Sequence, residues 1–443
     1  MEHGARYAQL IDDRPDEGIF RINRTIYNDP AILEAEYRSI FEGGWLFLCH
    51  ESIIPRPGDF FSTHMGRQPI FVVRTEDGAV AAYLNACGHR GSLLVKARSG
   101  NVQSIICPYH GFCFDMKGRC VAVPKRATGW PGEFELSQFD LRPIARIESY
   151  RGLVFGCLTP DVPSLREHLG AATALIDIFV APAPQPLEVV SGYSIYQTAC
   201  NWKIMHENGP DAYHAPVVHN NFAAAIAYRE KRSGAEGLRK TDTGRLTARI
   251  ASASYDLGNG HTAFWHERPS PEAFPISAQK DALARRFTPG QLAWIVERGR
   301  HMTIFPNLLL NDLASTHLRV YRPLGVDRME TIIWCLAPVG EPAEARAARL
   351  RKFEDFFLAS GMATPDDVAI AEAAQKASWA HASPWSVLSR GLSSCSDGPD
   401  AAARELGFAP RVSSDSWDHE VGIRGVYRRW LEMMEHKPER RHV

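Results

Sequence analysis

CGHRGSLL, Cys87 to Leu94, and CPYHGFCFD, Cys107 to Asp115, are the two stretches whose reading decides the fold. Each offers one soft thiolate and one imidazole within a short loop, Cys87 with His89 and Cys107 with His110. Gly88, Gly91, Pro108 and Gly111 stand where each loop has to fold back. Around them run short alternating segments, PIFVVRT, AVAAYLN, VQSIIC and LVFGCL, punctuated by Gly and Asp. The chain from about Gly44 to Pro160 therefore reads as a small antiparallel β domain. Two such loops side by side can enclose an inorganic centre.

Two centres take two Cys and two His. A structural zinc site usually has its cysteines in one half and its histidines in the other. A Rieske [2Fe-2S] cluster places two Cys on one iron and two His on the other. The alternating Cys-x-His and Cys-x-x-His halves suit the second arrangement better, and exchanging thiolates for neutral imidazoles raises the reduction potential. Cys113 and Cys120 lie nearby but do not fit the spacing, and as small buried hydrophobes they need no special role.

The composition of the whole chain is ordinary globular usage. Its 443 residues suggest about two to three domains. Hydrophobic residues make up 45% and charged residues 23%, which sets aside extensive disorder and coiled coil. Fifty Lys plus Arg against 51 Asp plus Glu leave no basic excess for a phosphate-binding surface, so no nucleic-acid partner is expected. Nine cysteines cannot all pair within the chain, and a chain this long needs no disulfide staples. Met1 to Phe20 carries acids and no apolar run of the secretory type. The most apolar candidate for a membrane span, Ala171 to Val180, is cut by Asp177 and followed by Pro182, Pro184 and Pro186. The expectation is a soluble, reduced, cytoplasmic protein without a membrane partner, in which clustered Cys and His signify metal.

Outside the β module, AILEAEYRSIF reads as a helix entered after Asn28, Asp29 and Pro30. APAPQPLE, Ala181 to Glu188, reads as a surface connector. Beyond it GYSIYQTACNWKI and HLRVYRPLG are strand-like, and Pro342 to Ser360 is helical, with Gly361 as its expected stop. The fold class is α+β. The basic tail HKPERRHV is expected to fray.

A second constellation lies in NWKIMHENGPDAYHAPVVH, Asn201 to His219. His214 and His219 are five apart, about 140° on a regular helix, so they could not both face one metal from it. Pro216 disfavours helix at Ala215, and a break there would let His219 swing back. Two imidazoles and one carboxylate with open positions form the facial triad of non-haem Fe(II) oxygenases. Spacing does not choose the carboxylate. Asp211 is near, but it serves equally as an outer acceptor for His214. Asp366 and Asp367 are alternatives, although Thr364-Pro365-Asp366-Asp367 also reads as a helix cap, a first-turn Pro and two dipole-complementing acids. Asn208 either positions a ligand or substrate or caps the following turn. His206 and His50 read as ordinary packed histidines.

Together with IFEGGWLFLCHESIIP and FEDFFLASGMATPDD, these motifs resemble the large (α) subunits of Rieske non-haem iron aromatic-ring-hydroxylating dioxygenases, most closely the benzoate, toluate and anthranilate 1,2-dioxygenase branch. The resemblance runs from about Phe20 to Met434. It implies a Rieske domain over residues 40–160 and a helix-grip (START-like) mononuclear iron domain formed by residues 1–39 and 161–443. It assigns Cys87, His89, Cys107 and His110 to the cluster, and His214, His219 and Asp367 to the iron. Asp211 becomes the acid that bridges the iron site to His110 of a neighbouring subunit. Tyr109, Asn220 and Phe222 depart from the pattern of that branch.

The resemblance implies head-to-tail α trimers, commonly with a small β subunit, and electrons from NADH through a separate reductase or ferredoxin component. The expected reaction adds both atoms of O2 to an aromatic carboxylate to give a cis-dihydrodiol or catechol precursor. Some Arg or Lys must meet the substrate carboxylate, since an unpaired buried charge is costly. The rivals are a Rieske monooxygenase (a hydroxylase or demethylase), an electron-transfer protein with no use for the second constellation, and a zinc-organised scaffold.

Overall fold

The computed structural model describes residues 7–130, 134–180, 186–233, 250–313 and 315–435. The described residues divide into two compact units, one built from Glu36–His168 and the other from Tyr7–Ala35 with Leu169–Glu435.

In the first unit β-rich, alternating sequence becomes three small antiparallel sheets. Val80–Leu84, Gln68–Arg74, Asp59–Met65 and Ser99–Asn101 form one, in that spatial order. Arg146–Tyr150, Leu153–Cys157 and Leu46–His50 form the second. The third, Cys120–Ala122, Cys113–Phe114 and Ile105–Ile106, is short. Of VQSIIC, expected as a strand throughout, only Ile105–Ile106 pairs in this way, because the segment runs directly into the second metal loop. Phe71, Val73, Tyr83, Phe112 and Phe114 pack beneath both loops, in one core with Cys87 and Cys107.

The second unit is organised by a ten-stranded antiparallel sheet. Its centre runs Arg328–Pro338, His317–Gly325, Leu308–Asp312, Arg298–Ile304, His261–Glu267 and Ser252–Gly258. The helix Val421–Glu435 packs on the last two of these strands. The helix Trp202–Asn208 packs against His317–Gly325. A Cβ added to Gly209, at the end of that helix, would lie 3.0 Å from Leu309 Cδ1 and 3.5 Å from Thr303 Oγ1. Thr303, Leu309 and Arg319 are register partners across three strands, so they share the face that this helix covers.

Several sequence expectations are corrected here. GYSIYQTACNWKI is not one strand: Ser194–Thr198 pairs with Arg328–Pro338, and Asn201 then caps the helix Trp202–Asn208 by accepting from Lys203 N–H at 3.1 Å. An Asn side chain competing for backbone donors ends the strand. The helix Ala343–Phe356 stops at Phe357, before Gly361, whose φ is not left-handed. The run AILEAEYRSIF is helical, but its last part, Tyr37–Phe41, is a π-helix. In the connector Ala181 to Glu188, residues 181–185 lie outside the described residues, and Leu187–Val189 is a strand. The tail, residues 436–443, also lies outside them.

Candidate metal centres

The two cysteine loops are built alike. The N–H of Cys87 donates to Ser92 O (2.9 Å) and that of Cys107 to Phe112 O (2.8 Å). Gly91 N–H donates to Cys87 O at 2.9 Å and Gly111 N–H to Cys107 O at 3.0 Å. Closing the turn this way requires a left-handed residue, and Gly91 and Gly111 have φ of +70° and +73°. Both thiols are buried. Burial pushes the Cys87 thiol up, while backbone N–H groups of His89 and Arg90 oppose it. The rings of His89 and His110 are 4.6 Å apart at an interplanar angle of 66°. His89 stacks on Phe112 at 4.9 Å, with a buried Nδ1 that has no hydrogen-bond partner. Tyr109 is 54% exposed and stacks on His110 at 3.8 Å, so it shields that ring from solvent rather than packing in the core.

In the second unit His214, His219 and Asp367 converge, each offering one ligand atom, all within 4.8 Å of one another. Nε2 of His214 lies 3.3 Å and Nε2 of His219 lies 3.4 Å from Asp367 Oδ1. Asn208 Nδ2 donates to the same Oδ1 at 3.2 Å and lies 3.4 Å from His214 Nε2. Asn208 thus faces the ligand set and does not cap a turn. Asp211 stands behind His214, its Oδ2 at 3.5 Å from Nδ1, and its Oδ1 accepts Tyr213 N–H at 2.7 Å. Asp366, the other acid of the pair, has no place in the cluster.

The geometry that brings the histidines together differs from the expected one. Pro216 does not break a helix. It occupies the first turn of Ala215–Val218, where its missing N–H is no loss. His214 and His219 flank that single turn as N-cap and C-cap, and their rings lie 5.3 Å apart. Thr364 is likewise not the cap of its helix. It is the first residue of Thr364–Ala377, and its hydroxyl donates to Phe357 O at 2.9 Å. Asp367, one turn in, is buried and turns toward the histidines.

Electrostatics follow from these contacts. Burial works against a charged His214, but Asp211 and Asp367 win and raise its pKa to about 10. Burial pushes Asp367 up, and the histidines and Arg319 more than offset it, so its pKa is lowered. A carboxylate held ionised beside two imidazoles is the donor set that a divalent cation completes.

Phe356 and Phe222 wall the site, Phe356 at 5.5 Å from His219 and 4.9 Å from Phe222. Asn220, which also departs from the expected pattern, is exposed at a helix start. His206 is buried among Trp202, Phe305 and Tyr321, and His50 is buried with Nδ1 accepting from Ser52 N–H at 3.2 Å. Sequence reading missed Phe356, which looked like core at helical spacing, and Arg319, whose only signal was a cation inside a strand-like run.

The donors fit the two groups they suggest. His89 and His219 each keep a buried Nδ1 without a hydrogen-bond partner, while Nδ1 of His214 faces Asp211. Among the described residues only His214, His219 and Asp367 close onto a point small enough for one ion. Cys87, His89, Cys107 and His110 offer two thiols and two imidazoles on paired loops, the donor set of a Rieske [2Fe-2S] cluster.

Residues 44–148 match the Rieske [2Fe-2S] domain, and residues 187–436 match the catalytic domain of the ring-hydroxylating alpha subunits. The chain belongs to the family of ring-hydroxylating dioxygenase alpha subunits. It is 39% identical to the alpha subunit of toluate 1,2-dioxygenase from Pseudomonas putida, over 98% of this chain and 95% of that one. It is 37% identical to the 2-halobenzoate 1,2-dioxygenase large subunit of Burkholderia cepacia, over 96% and 92%. Naphthalene 1,2-dioxygenase from Rhodococcus sp. superposes with a TM-score of 0.81 at 26% identity, covering 94% of each chain. No helix among the described residues is long and apolar enough to cross a membrane.

Proposed function

We propose that this chain is the terminal oxygenase of a system that dihydroxylates an aromatic carboxylate of the benzoate, toluate, halobenzoate or anthranilate type. In the balanced reaction the ring gains two C–O bonds from one O2, and NADH with a proton supplies two electrons and two protons through a separate reductase or ferredoxin component. The single observation that carries the reading is the convergence of His214, His219 and Asp367 beside an aromatic wall, in a chain that also has the paired Cys–His loops. The relatives named for toluate and 2-halobenzoate support the substrate class.

Cys87, His89, Cys107 and His110 would hold the [2Fe-2S] cluster, and His214, His219 and Asp367 the Fe(II). When bound, these groups supply one-electron transfer and oxygen chemistry that no side chain can. The chain's own residues position and protect. Asn208 holds Asp367 through Nδ2. Asp211 orients His214 through Nδ1, and would link it to His110 of a neighbouring copy. Phe222 and Phe356 keep water from one side of the site. The domain division we propose is residues 40–160 for the cluster and residues 1–39 with 161–443 for the iron. The working assembly is an α trimer, with or without a small β subunit, in the cytoplasm.

The test is turnover of benzoate, toluates, halobenzoates, anthranilate and salicylate by the purified oxygenase with reductase and NADH under 18O2. Two labelled oxygen atoms per product are expected. One labelled atom in a monohydroxylated product would overturn the dioxygenase reading.

A further inference from the structure

Five arginines are buried among the described residues. Arg268 and Arg300 share Asp312, at 2.9 Å for Arg268. Arg349 pairs with Glu341 at 2.6 Å. Arg424 donates to the carbonyl oxygens of Leu388 and Arg390 at 3.1 and 2.9 Å. Arg319 alone has no such partner. Its polar neighbours are Thr364 Oγ1, 3.5 Å from a terminal nitrogen, and the phenol of Tyr321, neither of them charged, and its Nε has no partner. A guanidinium has five donors and keeps its charge at any working pH, so leaving one buried and unpaired is costly.

The strand register shows where this charge sits. Arg319 is opposite Leu309 and Ile333, and Tyr321, two residues on, is opposite Thr331, itself opposite Tyr196. All lie on the sheet face that the helix Trp202–Asn208 covers, the helix that ends in Asn208. The hydroxyls of Tyr321, Tyr196 and Thr331 are buried there and also lack hydrogen-bond partners. The guanidinium lies 5.4 Å from the ring centre of Phe357, whose neighbour Phe356 walls the iron site. It is close enough to Asp367 and His219 for its charge to act on both, yet it forms no ion pair with Asp367 within 4 Å.

We infer that Arg319, with the hydroxyls of Tyr321 and Tyr196, is the receptor for the carboxylate of the substrate, holding the arene between the aromatic wall and the candidate iron ligands. This rests on the aromatic-carboxylate reading above and assigns the residue that reading leaves open. One carboxylate would neutralise the buried charge and accept from Nε, a terminal nitrogen and the phenol hydroxyls together. A neutral arene would leave all of these donors unsatisfied, which makes the same group a filter against it.

The experiment is ligand binding and kinetics on the metal-loaded oxygenase with benzoate and with toluene as its neutral counterpart. Wild type should show a melting-temperature rise with benzoate exceeding that with toluene. Arg319→Gln, with cluster and iron content unchanged, should raise both the dissociation constant and KM for benzoate by at least about tenfold and leave toluene binding equal or better. Benzoate binding within twofold of wild type in that variant would overturn the inference while leaving the substrate class intact. A wild type that binds and oxidises toluene but no arenecarboxylate would overturn both. If Arg319→Gln does not fold, Tyr321→Phe and Tyr196→Phe remove only hydroxyls. A benzoate-specific loss in at least one supports the receptor, and unchanged benzoate binding in both overturns it.

Discussion

Asp211 stands directly behind His214, its Oδ2 3.5 Å from Nδ1, on the side of the ring away from Asp367. One imidazole therefore meets two carboxylates from opposite sides, Asp367 at Nε2 and Asp211 at Nδ1. An outer acceptor of this kind sets the tautomer and direction of a ligand histidine.

Asp211→Asn is expected to retain cluster and iron, because the amide oxygen can still accept Tyr213 N–H, now 2.7 Å from Oδ1. Turnover with reductase and NADH should fall on the order of a hundredfold, since the variant loses the carboxylate behind His214. Metal analysis and NADH-coupled O2 uptake on the same preparation check this. Normal turnover would remove Asp211 from the electron route.

Asp367→Ala removes the oxygen that both histidines and Asn208 face. The purified variant should lose its mononuclear iron and keep the EPR signal of the reduced cluster, whose candidate ligands belong to the other compact unit. Retained iron with turnover would exclude Asp367 as a ligand.

Asn208→Ala deletes the donor that holds Asp367 at 3.2 Å. Iron affinity should drop by about ten- to a hundredfold, the usual cost of losing an outer-shell partner. A chelator competition titration reads this directly, and an unchanged midpoint would leave Asn208 without that role.

Glu207 accepts from the hydroxyls of two buried tyrosines, Tyr27 (2.7 Å) and Tyr427. Burial lifts its pKa from 4.5 to about 7, against the pull of those hydroxyls. The unfolded chain releases this proton near 4.5 and the folded chain holds it until about 7. Stability from this group is therefore complete below pH 4.5 and is lost as pH rises through 7, by on the order of 3 kcal/mol at most. Melting curves of Glu207→Gln should lose that part of the decline between pH 5 and pH 8. Parallel curves for variant and wild type would contradict it.

Gly91 and Gly111 have nearly the same φ, +70° and +73°, but different surroundings. A Cβ on Gly111 would lie 3.1 Å from Pro124 Cγ, whereas none of the neighbouring atoms lies within 4 Å of one on Gly91. Both Ala variants should pay the left-handed penalty of about 1 kcal/mol, and Gly111→Ala the crowding as well. Cluster occupancy, read from the visible spectrum, should drop further in Gly111→Ala. Equal occupancy would show that Pro124 yields.

Much of the chemistry was legible because it is local. Cys87 with His89, Cys107 with His110, and His214 with His219 each fall within one loop or turn, so residue types and spacing reveal them without a fold. The alternating runs around the cysteine loops also fixed an antiparallel β unit. The sequence left three things open, and the tertiary structure decided them. Pro216 could break or begin a helix, and the surrounding turns made it the beginning. Which acid lies beside both histidines depended on which way a distant helix turned its first-turn acids. Arg319 is one cation in a strand-like run, and only the register of four strands and the helix over them shows that its donors end unpaired beside the site. Ligand spacing is a property of a few bonds of chain. Burial without a partner is a property of everything packed around a group, and no local stretch of sequence contains it.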